Sequence, residues 1–246
     1  MSLKNHIPNT ITLLNLSSGL ISIFYGVHGT PHDLTIAGIF IFIAAVFDFF
    51  DGFAARLLNA KSDIGLQLDS LSDVVSFGVA PGFILFQMIN LSHGKPMDDI
   101  DGHNFLPFFA FMIPLLGALR LAKFNIDNTQ TTSFKGLPTP ALAILVASLP
   151  LIRQYLYAGQ GLFYMIITNT YFLLGIAIIG SLLLVSRFPM IGMKFRNFSF
   201  KENMIKYVFL LGSLILLIWL WIVAIPFIVI YYLFVSLVVY LTDIQS

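Results

Sequence analysis

Long apolar stretches of helix-spanning length, separated by short polar segments, dominate the chain. A membrane span needs about 20 mostly apolar residues, and eight runs qualify, near residues 9–27, 34–57, 66–91, 104–123, 138–157, 162–186, 204–222 and 225–242. Only a short turn around Ala224, Ile225 and Pro226 separates the last two, which predicts a tight helical hairpin. Pro138, Pro140 and Pro150 punctuate the fifth run, a pattern that membrane helices tolerate. One stretch departs from the apolar pattern: Asp48, Asp51, Asp63, Asp69 and Asp73 crowd the end of the second run, the following turn and the start of the third. The expected fold is an all-α polytopic membrane protein.

Composition excludes a soluble domain, with 58% hydrophobic residues, 10% charged residues and a mean hydropathy of +0.90. The chain has no cysteine, which removes disulfides, thiolate metal sites and a cysteine nucleophile. A net charge of +1 gives no footprint for nucleic acid, so the placement of charge matters more than its sum. Eight spans put both termini on one side. Lys4, Arg56, Lys61, Arg120, Lys123, Lys135, Arg187, Lys194, Arg196, Lys201 and Lys206 then share that side, leaving Lys95 and Arg153 opposite. The positive-inside rule makes it the cytoplasmic side. The first run has only Lys4 before it and no small-residue cleavage site near residues 27–32, so it is read as a retained span. Residues 186–206 form a basic, aromatic loop suited to an interfacial anchor and mark the seam between a six-span core, 1–187, and a two-span appendage, 188–246.

At 100° per residue, Asp48, Asp51, Gly52 and Ala55 share one helix face, with Arg56 at its edge. Gly65, Asp69 and Asp73 form a second stripe, and the polar residues between suit a short turn that makes the two helices antiparallel neighbours. Asp63 fits neither stripe and is read as a loop or cap residue. Four carboxylates converging at a membrane boundary repel one another unless a cation lies between them. Oxygen-only ligands favour Mg²⁺ or Mn²⁺. Gly52, Ala55 and Gly65 leave room for a ligand, and Arg56 suits a phosphate or a base. Gly78 and Gly82 form a G-x-x-x-G spacing that permits close helix contact or dimerisation, while Pro81 between them suggests a kink. His6, His28, His32, His93 and His103 show no ligand spacing, and the 25 phenylalanines read as packing and lipid-facing residues.

The eight residues Asp48, Asp51, Gly52, Ala55, Arg56, Gly65, Asp69 and Asp73 fit D-x-x-D-G-x-x-A-R-x8-G-x-x-x-D-x-x-x-D, and in this the chain resembles the CDP-alcohol phosphotransferases. The resemblance implies a six-helix core, usually a homodimer, that attaches the phosphatidyl group of a CDP-linked lipid to an alcohol and releases CMP. It assigns two metal ions to Asp48, Asp51 and Asp69 with a contribution from Asp73, which also acts as general base. Gly52, Ala55, Arg56 and Gly65, with Asn9 and Thr12 from the first span, are the expected nucleotide contacts. Four stretches, IPNTITLLNLSS at 7–18, SDVVSFGVAPG at 72–82, ALRLAKFN at 118–125 and FKGLPTPA at 134–141, are similar to those of bacterial phosphatidylserine synthases. That similarity implies CDP-diacylglycerol and L-serine as substrates and the bacterial inner membrane, with a cytoplasmic active site, as the location. Relatives that make phosphatidylglycerol phosphate commonly carry an arginine where this chain has Asn15. Arg120 and Lys135 offer cations for the serine carboxylate or the lipid phosphate, Arg120 being able to bind a carboxylate bidentately. Lys123 is read as a helix-end charge.

Sister enzymes using glycerol phosphate, inositol phosphate or choline share the motif, but those acceptors lack serine's carboxylate. An intramembrane prenyltransferase is expected to carry two separated Asp-rich motifs, and this chain has one. A cation-coupled transporter predicts midplane carboxylates and similar halves, neither of which the sequence suggests.

Overall fold

The computed structural model describes residues 3–60, 62–94, 104–126, 134–156, 161–192, 199 and 203–242. Helices α1 (Leu3–His28) and α2 (Pro31–Leu57) form the first hairpin. Its turn is set by Gly29 in the left-handed region at φ 72° and by Thr30, whose hydroxyl caps α2 by accepting from the Asp33 N–H. Helix α3 (Asp63–Asn90) is α-helical to Asp73, widens into a π turn over Val74–Val79, and resumes as α-helix at Ala80. The π turn ends two residues before Pro81, whose missing N–H cannot continue the regular ladder. Helices α4 (Leu106–Ile126) and α5 (Thr139–Leu156) complete the runs of full spanning length in the first part of the chain. The structure thus makes one uninterrupted helix of residues 139–156, with Pro150 inside it. This is an integral membrane protein, nearly all helical.

The sixth apolar run is interrupted. It forms a short α6 (Leu162–Ile167) and a separate α7 (Thr170–Val185). Asn169 restarts the chain as N-cap, its Oδ1 accepting from the N–H groups of Tyr171 and Phe172. The break is clasped to the end of α3. His93 N–H donates to the Thr168 carbonyl at 2.9 Å, and the Thr170 N–H and hydroxyl both donate to the His93 carbonyl. This clasp satisfies the backbone groups that the interruption exposes, as an apolar surround requires.

The last apolar stretch folds back on itself as α8 (Met204–Leu220) and α9 (Ala224–Thr242), with Trp221 at the reversal in the left-handed region, φ 51°. Phe209 stacks on Tyr231 with centroids 5.5 Å apart, and the Tyr231 hydroxyl donates to the Val208 carbonyl at 3.2 Å, fixing the hairpin register. The exposed leucines, isoleucines and tryptophans of this hairpin need hydrocarbon around them.

The core lies where α2, α3 and α5 meet, around Leu34, Ile41, Phe77, Ile84, Leu142 and Leu149. Serine hydroxyls tie helix to helix: Ser72 and Ser76 of α3 donate to the Thr12 and Asn15 carbonyls of α1 at 3.3 and 3.0 Å. Gly19 of α1 lets Ser76 approach so closely that an added Cβ would lie 2.8 Å from the Ser76 Cα. Gly78 and Gly82 receive Pro114 of α4, at 3.3 and 3.1 Å from where a Cβ would stand. The small residues of the G-x-x-x-G spacing therefore serve close packing within the chain.

Two short strands close one end. β1 (Phe134–Lys135) pairs antiparallel with β2 (Pro189–Met190), after which the Gly136 N–H donates to the Phe188 carbonyl and the Leu137 N–H to the Leu183 carbonyl. By helix order, Arg56, Lys123, Arg187 and Lys206 fall at this end and Arg153 at the other. Lys61, Lys95, Lys194, Arg196 and Lys201 lie outside the described residues.

Gly136 combines φ 78° with carbonyl oxygens of Leu184, Leu183 and Ser186 at 2.5, 3.0 and 3.0 Å from a built Cβ. Gly136→Ala is expected to cost about 2 to 4 kcal/mol from left-handed strain plus the backbone clash. A denaturant titration of the purified protein in mild detergent, followed by circular dichroism, checks it; an unchanged midpoint refutes the packing role.

Candidate active site

The turn between α2 and α3 places the acidic residues. α2 ends with the Leu58 N–H on the Ala54 carbonyl and the Ala60 N–H on the Ala55 carbonyl, with Asn59 left-handed at φ 50°. Ser62 then caps α3, its hydroxyl accepting from the Gly65 N–H at 3.1 Å. Asp63 is the first residue of α3 rather than its cap, and it lines the cavity described below. An acidic side chain there complements the positive end of the helix.

α2 packs on the lower part of α3, whereas its acidic end and the Asp63–Asp73 part of α3 stand apart. α2 and the first part of α3 each pack on α1, and the wedge between them stays open. In this gap Asp48 and Asp51 from α2 face Asp69 from α3, with one carboxylate oxygen of each lying within 4.8 Å of the others. Below the wedge, Asn9 and Thr12 of α1 form the floor, and Thr12 sits beside Asp51. A cavity of about 540 Å³ opens here, lined by Asn9, Thr12, Asp51, Gly52, Ala55, Arg56, Gly65 and Asp69 among others. All six residues expected to contact a nucleotide therefore share one cavity. Gly65 is tight, since a Cβ would stand 3.1 Å from the Asn9 Oδ1, whereas at Gly52 only the Arg56 Nη1 comes within 4 Å, at 3.8 Å.

Asp73 stands apart from the three clustered carboxylates. It lies one helical turn beyond Asp69, about 6 Å along the axis, and within electrostatic range of Asp48, Asp69, Asp51 and Arg120. Its neighbour Asn15 is fully buried on α1. Arg120 of α4 donates from Nη1 to the Thr139 hydroxyl at 3.1 Å. Around this point Asp73 Oδ1, Arg120 Nε and both side-chain amide atoms of Asn15 are buried without a hydrogen bond of good geometry, although Asn15 lies within reach of the Asp73 carboxylate. Buried polar groups are normally satisfied, so this cluster has the character of a place for a polar ligand. Asn15, which in the sequence serves only to separate subfamilies, is buried beside Asp73. Its signal is the buried polar stripe Thr12, Asn15, Ser18 and Ser22 along an otherwise apolar α1. Lys135 belongs to β1, but its side chain lies outside the described residues. Lys123 is exposed in the last turn of α4.

The donor set fits a hard divalent cation. The clustered carboxylates are partly withdrawn from water and face one another, Asp48 toward Asp69 and Asp51. Among the described residues no basic side chain is paired with them, and Asp51 Oδ2 is buried without a partner. At an effective dielectric of about 20, two ionised carboxylates about 5 Å apart repel by roughly 3 kcal/mol. An oxygen-bound cation removes that cost and fills the orphaned valence.

Fold and site together define a polytopic membrane protein whose hydrocarbon-embedded helices present an acidic cluster to a polar cavity at one end. The chain belongs to the CDP-alcohol phosphatidyltransferase family, whose model matches residues 5–184. It is 39% identical over 140 residues to the CDP-diacylglycerol–serine O-phosphatidyltransferase of Bacillus subtilis, covering 55% of this chain and 70% of that one. The protein of the same name from Methanocaldococcus jannaschii is 36% identical over 151 residues, 61% of this chain and 63% of its own. The archaetidylserine synthase of Methanothermobacter thermautotrophicus is 35% identical over 158 residues, 61% of this chain and 59% of its own. Members of this family generally use a divalent metal.

Two outcomes test the site. In metal-free protein, Asp51→Asn is expected to raise stability by about 1 to 3 kcal/mol through lost repulsion, and to abolish the rise in melting temperature that added Mg²⁺ or Mn²⁺ gives the unaltered chain. Equal thermal shifts in both proteins would argue against metal binding here. Gly52→Leu should fold with a near-normal melting temperature, because little lies near its Cβ, yet lose nucleotide binding at least tenfold by filling the cavity; isothermal titration with CDP reads this directly.

Proposed function

We propose that this protein transfers the phosphatidyl group of CDP-diacylglycerol to the hydroxyl of L-serine, releasing CMP. The observation that carries the reading is the division of the acidic residues: three carboxylates clustered beside the cavity, and a fourth, Asp73, one turn deeper beside Arg120 and Asn15. The names of the relatives supply the acceptor.

In this reading Gly52, Ala55, Arg56 and Gly65, with Asn9 and Thr12, receive the cytidine nucleotide. Asp48, Asp51 and Asp69 hold Mg²⁺ or Mn²⁺, two ions with Asp73 contributing, and the bound metal supplies charge neutralisation to the pyrophosphate. Arg120 and Lys135 bind the carboxylate of serine or the lipid phosphate, Arg120 in the bidentate manner that its planar fork permits. Asp73 takes the proton of the serine hydroxyl as that oxygen attacks. The new bond joins the serine oxygen to the phosphatidyl phosphorus, the bond from that phosphorus to the bridging oxygen breaks, and CMP departs with the electron pair. A positioned base of this kind contributes about 10² to 10⁴ in rate. The core is residues 1–187 and the appendage 188–246, with the site facing the cytoplasm of a bacterial inner membrane and the active form a homodimer.

The test is CMP release by purified protein given CDP-diacylglycerol, divalent metal and a panel of alcohols. Release that requires serine is expected; release only with glycerol phosphate, inositol phosphate or choline replaces the assignment with a sister activity. Asp73→Asn should lose at least 100-fold in turnover while CDP-diacylglycerol binding persists. Near-normal turnover in that variant removes Asp73 from the role of base.

A further inference from the structure

The family match ends at residue 184, before the hairpin of α8 and α9. A hairpin serving only as an anchor needs apolar contacts with the bundle and nothing more. This one satisfies backbone polar groups of another segment. The Ile191 N–H donates to the Ser236 hydroxyl at 3.3 Å, and the Ile191 carbonyl accepts from the Tyr232 hydroxyl at 2.8 Å. Ile191, Tyr232 and Ser236 are 4%, 8% and 2% exposed, so water cannot substitute for either bond.

Ile191 directly follows β2, and β2 is the partner of β1. From β1 the chain passes through Gly136 and Leu137, each bonded back to the segment before β2, and reaches Thr139 within a few residues. Thr139 is fully buried and accepts the Arg120 Nη1 bond. A second route is direct: Tyr232 lies within electrostatic range of the Arg120 guanidinium. Arg120 itself carries a long flexible side chain with its Nε unpartnered, so its position depends on what surrounds it.

We propose that Tyr232 and Ser236 are positioning residues for the acceptor end of the site: through Ile191 and the two-strand ribbon, the C-terminal hairpin holds Thr139 and Arg120 in place beside Asp73. This rests on the reading of Arg120 as the partner of the acceptor's carboxylate. The hairpin is then a brace that sets acceptor affinity, built onto the catalytic core from outside the family's matched region.

The experiment compares full-length Tyr232→Phe, Ser236→Ala, Ser236→Thr and Arg120→Ala in steady-state CMP release, varying serine and CDP-diacylglycerol separately. Tyr232→Phe and Ser236→Ala should each raise the serine KM about 5- to 20-fold with the CDP-diacylglycerol KM within twofold of the unaltered protein. Ser236→Thr, which keeps the hydroxyl, should restore the serine KM. In the Arg120→Ala background, Tyr232→Phe should add nothing, because both act through the same guanidinium. If Arg120→Ala raises the serine KM and the hairpin variants do not, the brace is wrong and the site reading stands. If Arg120→Ala leaves the serine KM unchanged, the site reading fails and the brace with it. A fall in melting temperature with both KM values moving together would reduce the hairpin to a structural role and overturn the proposal.

Discussion

Mutual repulsion among Asp48, Asp51 and Asp69 is the constraint around which this protein is arranged. Helices built to lie in hydrocarbon gain nothing from carrying three carboxylates within 4.8 Å of one another. The arrangement survives because α1 packs against both α2 and the first part of α3, wedging them apart and opening a polar cavity at the end of the bundle. Ser72 and Ser76 pin that wedge by hydrogen bonds to α1, and Gly19 allows the close crossing that brings the serines into reach. The packing of the bundle therefore keeps a charged gap open, and its carboxylate donors suit a hard cation.

The π turn at Val74–Val79 separates two jobs within one helix. Above it, Gly65, Asp69 and Asp73 present a polar stripe to the site. Within and below it, Phe77, Ile84 and Leu85 enter the core, and Gly78 and Gly82 receive Pro114. An uninterrupted α-helix would carry one facing direction through its whole length, whereas the added residue in the π turn rotates the lower half relative to the upper. The clasp of His93 with Thr168 and Thr170 anchors the far end of the same helix. The acidic stripe and the clasp thus sit at opposite ends of one helix, joined by a buried middle.

Residue patterns foretold much of this. Long apolar runs gave helices because a segment in lipid must satisfy its own backbone, and the i, i+4 spacing of Gly65, Asp69 and Asp73 forced one stripe. The turn after α2 was legible from its polar residues. Other features were not. The sixth run reads as one span, yet Thr168 and Asn169 end one helix and begin another, because capping bonds and the His93 clasp are available to them. Asp63 reads as a loop or cap residue, but Ser62 takes the cap and Asp63 becomes the first residue of α3, lining the cavity. Tyr232 has no sequence signal at all, being one aromatic residue among many in an apolar helix.

What the sequence determined by itself was local: which segments are helical, which faces carry carboxylates, and which small residues keep those faces open. These follow from periodicity, since neighbours three or four residues apart on a helix meet whatever the surroundings. The tertiary structure supplied the physical basis for setting Asp73 apart from the other three aspartates, a division the sequence carried only through its resemblance to the family. Asp69 and Asp73 occupy equivalent positions on one stripe, but α2 approaches Asp69 and α4 brings Arg120 toward Asp73. That division depends on the depth at which separate helices cross, a quantity set by Gly19, Ser76, Pro114 and their packing partners rather than by the spacing along any one of them.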